Sequence, residues 1–212
     1  MIGDDEWENR FRSHVRHDVS CGCITFTPSR PLHRARLDIL EIRLPNPADK
    51  YPAPAGFKIV SGGQTGADQA GLDWALANGI VHGGWCPKGR KSETGPIDAR
   101  YHLTETAGSG YLERNERNVR DSDATVVFTL LEKLDGGSKK TADFAAASGK
   151  PWMHFHPRVH PKYLARFLSR HEVGTLNVAG KRESSAPGIA RLVADTLGSA
   201  VDTSLAAVQS PR

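Results

Sequence analysis

The sequence predicts an α/β protein with a doubly wound, mostly parallel sheet of about five or more strands. From residue 57 onward, short apolar runs alternate with helical patterns, and this order of elements is the one that builds a parallel sheet. Two of the runs lead into glycine-rich turns, at 61–66 and 135–137, and a helical pattern follows each turn. Ligands of such sheets bind beyond the carboxyl ends of the strands, so these turns are the first place to expect a site.

The first half of the predicted domain contains two strands and one helix. A short apolar run over 57–61 predicts the first strand, and a pattern of small residues over 67–77 predicts the helix after it. Asn78 and Gly79 follow that helix and suit its C-terminal cap. The second strand is expected at 80–85.

The next segment is more polar until a strongly apolar strand appears. Residues 86–102 are predicted to form a polar loop, and residues 113–121 a polar helix. Residues 124–130 form the most strand-like run of the chain. Because that run is almost continuously apolar, we expect a strand buried on both faces.

The remaining elements continue the alternation. An alanine-rich helix is expected to begin at the second glycine turn and to end near Ser148, and a strand follows at 151–155. Residues 161–171 predict an amphipathic helix, and residues 175–179 a fifth strand. The last helix begins near Pro187, which is tolerated in a first helical turn.

The segment 61–68 has the composition of an anion site. Glycines let the backbone approach a phosphate-like group, and the start of a helix adds a partial positive charge. Gln64 and Thr65 can donate to an anion or close the turn, and Asp68 can complement the helix dipole or hydrogen-bond a ligand. Lys88 and Arg90 follow the second strand, where they form either a solvated loop or part of the same site.

Two common nucleotide sites are excluded by the same residues. No Lys-Ser or Lys-Thr pair follows the turn, so this is not the phosphate loop of an NTPase. Ser61 replaces the first glycine of the dinucleotide fingerprint, and 81–91 offers cations where an NAD site needs a carboxylate. We therefore expect no NAD and a more anionic ligand.

The composition also indicates which partners and which cell compartment to expect. The net charge of +4 over 212 residues is modest, and we expect no nucleic-acid partner. No apolar stretch is long enough to span a membrane and the N-terminus does not look like a signal peptide, so we expect a cytoplasmic protein without a membrane partner. Three cysteines, including Cys21 and Cys23, make neither a disulfide framework nor a predicted structural metal site.

Three regions follow from these patterns. Residues 1–50 are expected to be an N-terminal extension, disordered in part, because their periodicity is weak and prolines follow. Residues 51–200 form the ligand-binding domain, and residues 201–212 a C-terminal tail.

Five motifs within this domain resemble those of the molybdenum cofactor carrier family. Their order and approximate spacing agree over about residues 57–198. The segments that carry the resemblance are 61–68, 82–90, 118–123, 136–138 and 176–180.

The resemblance implies a Rossmann-like fold related to the lysine decarboxylase-like (LOG-type) nucleotide-binding proteins. It also implies that the chain binds, and stores or carries, molybdenum cofactor (Moco), a pterin with a phosphate, a dithiolene and an oxidised molybdenum. We expect a homo-oligomer, with molybdoenzymes or proteins of cofactor synthesis as partners. The predicted cofactor-binding residues, from the loops and the motifs together, are Gly62, Gly63, Gln64, Thr65, Gly66, Asp68, Lys88, Gly89, Arg90, Asn118, Gly136, Gly137, Ser138, Thr141, Lys181 and Arg182.

Catalysis is not expected, because no nucleophile with a base is evident and no metal-ligand cluster is predicted. The alternative is a phosphoribohydrolase that cleaves nucleoside monophosphates, with Asp143 as the nearest acid to the second glycine turn. A nucleotide-sensing module is a third interpretation. The sequence leaves Moco, a nucleotide and a bare oxyanion open as ligands.

Overall fold

The computed structural model describes residues 50–206. The predictions for residues 1–49, which include the extension and its two cysteines, and for residues 207–212 lie outside the described residues. Within 50–206, strands and helices alternate as expected, and the prediction of a doubly wound parallel α/β fold is confirmed.

The bounds of the helices lie within a few residues of those predicted. The helices are α1 (Ala67–Ala77), α2 (Tyr111–Arg120), α3 (Gly136–Ala147), α4 (Pro161–Arg170) and α5 (Ile189–Ala200). The strands are β1 (Tyr51–Pro52), β2 (Lys58–Val60), β3 (Val81–Gly83), β4 (Trp85–Cys86), β5 (Lys91–Ser92), β6 (Gly95–Pro96), β7 (Thr104–Glu105), β8 (Ala124–Phe128), β9 (Trp152–Phe155), β10 (Thr175–Gly180) and β11 (Val201–Asp202).

The main sheet has five parallel strands in the order β3-β2-β10-β8-β9. Its last strand in the chain, β10, lies at the centre, where Leu176 is opposite Ile59 on one side and Ala124 on the other. This insertion places the carboxyl ends of β2, β10 and β8 next to one another. The loops that follow these three strands therefore meet at one edge of the sheet, as expected for a ligand site in this architecture.

Helices form two layers around the sheet. Helix α5 packs against α1 and α4, while α2 packs against α3. All five residues of β8 are buried, which confirms the prediction of a strand buried on both faces. None of the helices within residues 50–206 combines the length and the apolar character needed to cross a membrane.

Two regions are more ordered than the sequence indicated. The predicted polar loop 86–102 contains the hairpin β5–β6, and its Ile97 and Tyr101 pack in a small second core with Leu72 and Cys86. The apolar residues of this loop are too widely spaced to show a period. At the other end, β11 pairs in parallel with β1, so Val201 and Asp202, expected in the tail, join a two-stranded sheet.

Candidate functional site

A cavity of about 330 Å³ opens beyond the carboxyl ends of β2 and β10, beside the first turns of α1, α2 and α3. Its walls are mostly polar. The lining residues are Gln64, Asp68, Tyr111, Arg114, Asn115, Gly137, Ser138, Thr141, Ala179, Gly180, Lys181, Arg182, Ser184 and Ser185.

A buried ion pair forms one wall of this cavity. Arg114 Nη1 donates to Asp68 Oδ2 at 2.7 Å, and only 10% and 4% of the two side chains are exposed. The same carboxylate oxygen accepts from the backbone N–H of Gln64 at 3.3 Å. Asp68 lies in the first turn of α1, where it can complement the helix dipole, and it holds Arg114 at the cavity; a hydrogen bond to a ligand stays a prediction.

Three buried polar atoms around the cavity have no hydrogen-bond partner within residues 50–206. They are Gln64 Nε2, Arg114 Nε and Ser138 Oγ, and they come from the first glycine turn, α2 and α3 respectively. Buried polar groups in folded proteins are almost always hydrogen-bonded, so each exception needs an explanation. All three residues line the cavity with other parts of their structure, so its wall contains buried polar groups whose hydrogen-bonding capacity is not used within the described residues.

The start of α3 supplies backbone donors to the same cavity. Asp135 precedes this helix, but its side chain does not cap it and pairs with Lys181 instead. Lys181 thereby lowers the pKa of the Asp135 carboxyl below its usual range. Because Gly137 and Ser138 line the cavity, the N–H groups that a helix leaves unsatisfied at its first turn lie at the cavity wall. A helix N-terminus of this kind favours an anion.

Two backbone donors at the first glycine turn form hydrogen bonds within the protein. Thr65 N–H donates to Gln64 Oε1 at 3.0 Å, and Ala67 N–H donates to the carbonyl of Lys181 at 3.1 Å. These groups are engaged within the protein, so they are not available to an anion. These bonds fix the shape of the turn, and contact of its other residues with an anion stays a prediction.

The glycines of that turn make room for other parts of the chain. A Cβ on Gly62 would lie 1.5 Å from Arg114 Nη1, and a Cβ on Gly66 would lie 2.6 Å from the carbonyl oxygen of Lys181. Gly63, with φ +72°, approaches Leu103 instead. The absence of side chains thus permits the close packing that seats Arg114 and the loop after β10.

Seven of the sixteen predicted residues line the cavity. They are Gln64, Asp68, Gly137, Ser138, Thr141, Lys181 and Arg182. Gly62 and Gly66 do not line it, Gly66 lines a separate groove beside α1, and Gly136 begins α3.

Arg90 and its neighbours in the chain lie elsewhere. The Arg90 guanidinium donates to the carbonyls of Ile97 at 2.9 Å, Asp98 at 2.7 Å and Tyr101 at 3.0 Å. The Arg90 side chain therefore holds together the segment that contains the hairpin β5–β6. Because its guanidinium is bound there, it does not reach the cavity. Lys88 and Gly89 are exposed and are not among the lining residues.

Asn118 and Thr65 also serve local structure. Asn118 is buried and exchanges hydrogen bonds with the backbone of Trp85, at 2.8 Å to its N–H and 3.1 Å to its carbonyl. Thr65 donates from its hydroxyl to Glu93 at the tip of the hairpin β5–β6. Both residues therefore stabilise elements near the cavity, and neither of them lines it.

The hairpin tip closes the cavity on one side. Glu93 accepts from Ser184 Oγ at 2.5 Å, and its backbone N–H donates to Gln64 Oε1 at 2.9 Å. The hydrogen bond from Ser184, followed by that from Thr65, lowers the pKa of the Glu93 carboxyl. A larger groove of about 870 Å³ lies on the far side of this contact, between α1 and α5, and alanines and Trp74 form much of its wall.

Sequence reasoning missed the three lining residues that α2 supplies, Tyr111, Arg114 and Asn115. A usable signal was present. The predicted helix 113–121 has almost no apolar residue, yet it lies between strands of a packed domain. A helix without an apolar stripe must bury polar groups, so its inward face was a candidate wall of a polar site.

Comparison with known proteins places this geometry in a family. A family model described as "Circularly permutated YpsA SLOG family" matches residues 59–201. The chain belongs to the circularly permutated YpsA SLOG family. No curated protein matches the chain.

The family assignment agrees with a solved structure. A crystal structure at 1.45 Å resolution from Syntrophus aciditrophicus SB, named "Putative molybdenum carrier protein", is 40% identical. The match covers 69% of this chain and 95% of that chain, with a TM-score of 0.66. The resemblance inferred from the five motifs is thereby confirmed at the level of the family.

Cys86, the cysteine within residues 50–206, does not line the cavity. Cys86 is fully buried in the second core, and burial raises the pKa of its thiol. It behaves as a small apolar side chain. Among residues 50–206, no group of three or more His, Cys, Asp or Glu side chains is arranged to hold a metal ion.

Proposed function

We propose that this protein binds an anionic, phosphate-containing cofactor in the cavity beside α3, and that it carries this cofactor without transforming it. The observation that carries the proposal is the uncapped start of α3 at a polar cavity, whose wall also contains Lys181 and Arg182. We further propose molybdenum cofactor as the ligand, because the similar crystal structure bears the name of a molybdenum carrier.

The residues present fit such a group. Gly137 and Ser138 offer two backbone donors to a phosphate, and Lys181 offers an ammonium group. Asn115 offers an amide group, which can donate to and accept from the edge of a pterin. The volume of about 330 Å³ lies at the lower end of the range for small-molecule sites, about 300–1,000 Å³. In this arrangement the protein holds the cofactor by its organic part, and the metal chemistry belongs to the cofactor.

The alternative of a nucleoside-monophosphate hydrolase has less support. It depended on Asp143, which is exposed and forms an i,i+4 ion pair with Lys139 at 2.8 Å. Asp143 is not among the cavity residues. The carboxylate that does line the cavity, Asp68, already neutralises Arg114. Release of free base from nucleoside monophosphates by the purified protein would favour the hydrolase over the carrier.

Two measurements test the carrier proposal. Mass spectrometry of small molecules that survive gentle purification, with metal analysis in parallel, identifies the ligand. Purification with a stoichiometric phosphopterin or with molybdenum supports the proposal, while purification with an uncharged ligand contradicts it.

A matched pair of lysine variants tests the site. Lys181→Met should weaken binding of the purified anionic ligand about tenfold to a hundredfold, since a hydrogen bond to a charged group contributes about 1.5–3 kcal/mol. Lys139→Met is the control, because that lysine also pairs with an aspartate near α3 but lies outside the cavity. Titration calorimetry at several salt concentrations should also show weaker binding as salt rises. Equal effects of the two variants would place the site elsewhere.

A further inference from the structure

One lining residue of the cavity is an aromatic ring without a structural task. Tyr111 is the first residue of α2, and 38% of it is exposed although it lines the cavity. The guanidinium carbon of Arg182 lies 5.2 Å from the centre of its ring. Aromatic side chains are common in small-molecule sites, where their faces stack on planar groups of the ligand.

A second cation–aromatic pair on the same helix shows what a structural pair looks like. Arg117 lies 4.5 Å from the ring of Trp85, and it also forms an ion pair with Glu113 at 2.9 Å. Trp85 Nε1 donates to Asp121 at 2.7 Å. Both members of that pair are therefore tied to further residues.

The pair at the cavity lacks these ties. Within residues 50–206, the Arg182 side chain forms no ion pair and the Tyr111 hydroxyl no hydrogen bond. Tyr111 comes from α2 and Arg182 from the loop after β10, so they meet at the cavity from two separate elements. Planar guanidinium and phenol groups at one end of a cavity suit a flat ring that stacks on them.

We propose that Tyr111 and Arg182 form a ring-binding end of the cavity. The ligand is then a planar heterocycle joined to a phosphate, with the phosphate at the start of α3 and the ring on Tyr111. Bare oxyanions such as inorganic phosphate or molybdate lack the ring and bind weakly. This inference rests on the proposed function and narrows it, because it separates heterocyclic phosphates from the oxyanions that the sequence left open.

Three probes of increasing size test the inference by titration calorimetry: inorganic phosphate, ribose 5-phosphate and guanosine monophosphate (GMP). GMP carries an aminopyrimidinone ring like that of a pterin. Stacking of a base on an aromatic side chain changes affinity by about tenfold to a hundredfold when the side chain is removed. We therefore expect the wild-type protein to bind GMP at least tenfold more tightly than ribose 5-phosphate.

Variants of residues on α2 test whether the Tyr111 ring causes the tighter binding of GMP. Tyr111→Leu should lower the affinity for GMP at least tenfold and leave that for ribose 5-phosphate unchanged, while Tyr111→Phe should retain GMP binding because the ring remains. Leu112→Ala is the matched control, since Leu112 is 55% exposed, lies next in the helix and does not line the cavity. Thermal unfolding of each variant verifies that the fold is intact.

The outcomes separate this inference from the proposed function. Equal affinity of the wild-type protein for GMP and ribose 5-phosphate, or an equal loss of both in Tyr111→Leu, would overturn the ring-binding end and leave the anion site standing. Binding of none of the three probes would overturn both.

Discussion

Removal of one member of the buried pair Arg114–Asp68 should destabilise the protein, and the two possible removals should affect ligand binding in opposite directions. Arg114→Met leaves the Asp68 carboxylate buried with only the Gln64 N–H as a donor. Asp68→Asn leaves a buried cation whose charge is no longer neutralised. An anionic ligand would meet less positive charge in the first variant and more in the second.

The expected loss of stability follows from burial. Breaking a buried ion pair by removing one partner costs about 3–5 kcal/mol, because the remaining charge is desolvated without compensation. The exposed fractions of 10% and 4% place Arg114 and Asp68 in this class. For a domain of this size, each kcal/mol lowers Tm by about 2–4 °C, so Arg114→Met should lower Tm by about 6–20 °C. Asp68→Asn should lie near the lower end, since its amide oxygen still accepts a hydrogen bond.

Thermal unfolding with and without ligand is the assay, with GMP as the anionic probe. Saturating ligand raises stability by about 2.7 kcal/mol at a concentration of 100 times Kd. The shift of Tm caused by GMP should be larger than wild type in Asp68→Asn and smaller in Arg114→Met. Asp195→Asn is the control: its pair with Arg191 is exposed, with a distance of 3.4 Å, and should contribute about 0–1 kcal/mol.

Two results would refute this reasoning. If both variants weaken GMP binding equally, the pair is a scaffold for the cavity and not a source of charge for the ligand. If neither variant lowers Tm beyond the Asp195→Asn control, the pair is not desolvated as its burial indicates.

Two further substitutions test the elements around the cavity. The hydrogen bond from Ser184 lowers the pKa of Glu93 in the folded state, so its contribution to stability is present at neutral pH and is lost as pH falls through that lowered pKa. Urea unfolding should therefore show that Glu93→Gln is less stable than wild type at pH 7 and as stable as wild type at strongly acid pH. Glu116→Gln, at an exposed position, is the control and should leave the free energy of unfolding unchanged at both pH values. A loss of stability in Glu93→Gln that persists in acid would contradict the role of the carboxylate. Gly62→Ala should displace the Arg114 guanidinium, because the new Cβ would lie 1.5 Å from it; a Tm within about 1 °C of wild type would contradict this.

Most of the fold was predictable because the signals were local. The caps and periods that predict α1 and α5 lie within their own sequence, and the apolar run of β8 is long enough to identify a buried strand without any partner. The hairpin β5–β6 was not predictable in this way. It depends on Arg90, whose guanidinium gathers carbonyls from a segment that has no period of its own.

The central position of β10 in the sheet could not be predicted from the sequence for a related reason. Strand order depends on pairing between distant segments, and Leu176 meets Ile59 across more than a hundred residues. A sequence pattern specifies that a strand is buried, not which strands flank it. The cavity depends on this order, since it needs the loops after β2 and β10 beside each other.

The two glycine turns show how the same composition serves two tasks. In the turn at 61–66, Gly62 and Gly66 allow other parts of the chain to approach closely, and Arg114 is thereby seated at the cavity; contact of this turn with an anion stays a prediction. The turn at 135–137 leaves the start of α3 without a side-chain cap, because Asp135 is paired with Lys181. A capping aspartate would occupy the very N–H groups that a phosphate needs. Pairing of that carboxylate with Lys181 leaves the first N–H groups of α3 without a side-chain cap, which is an arrangement that suits an anionic ligand.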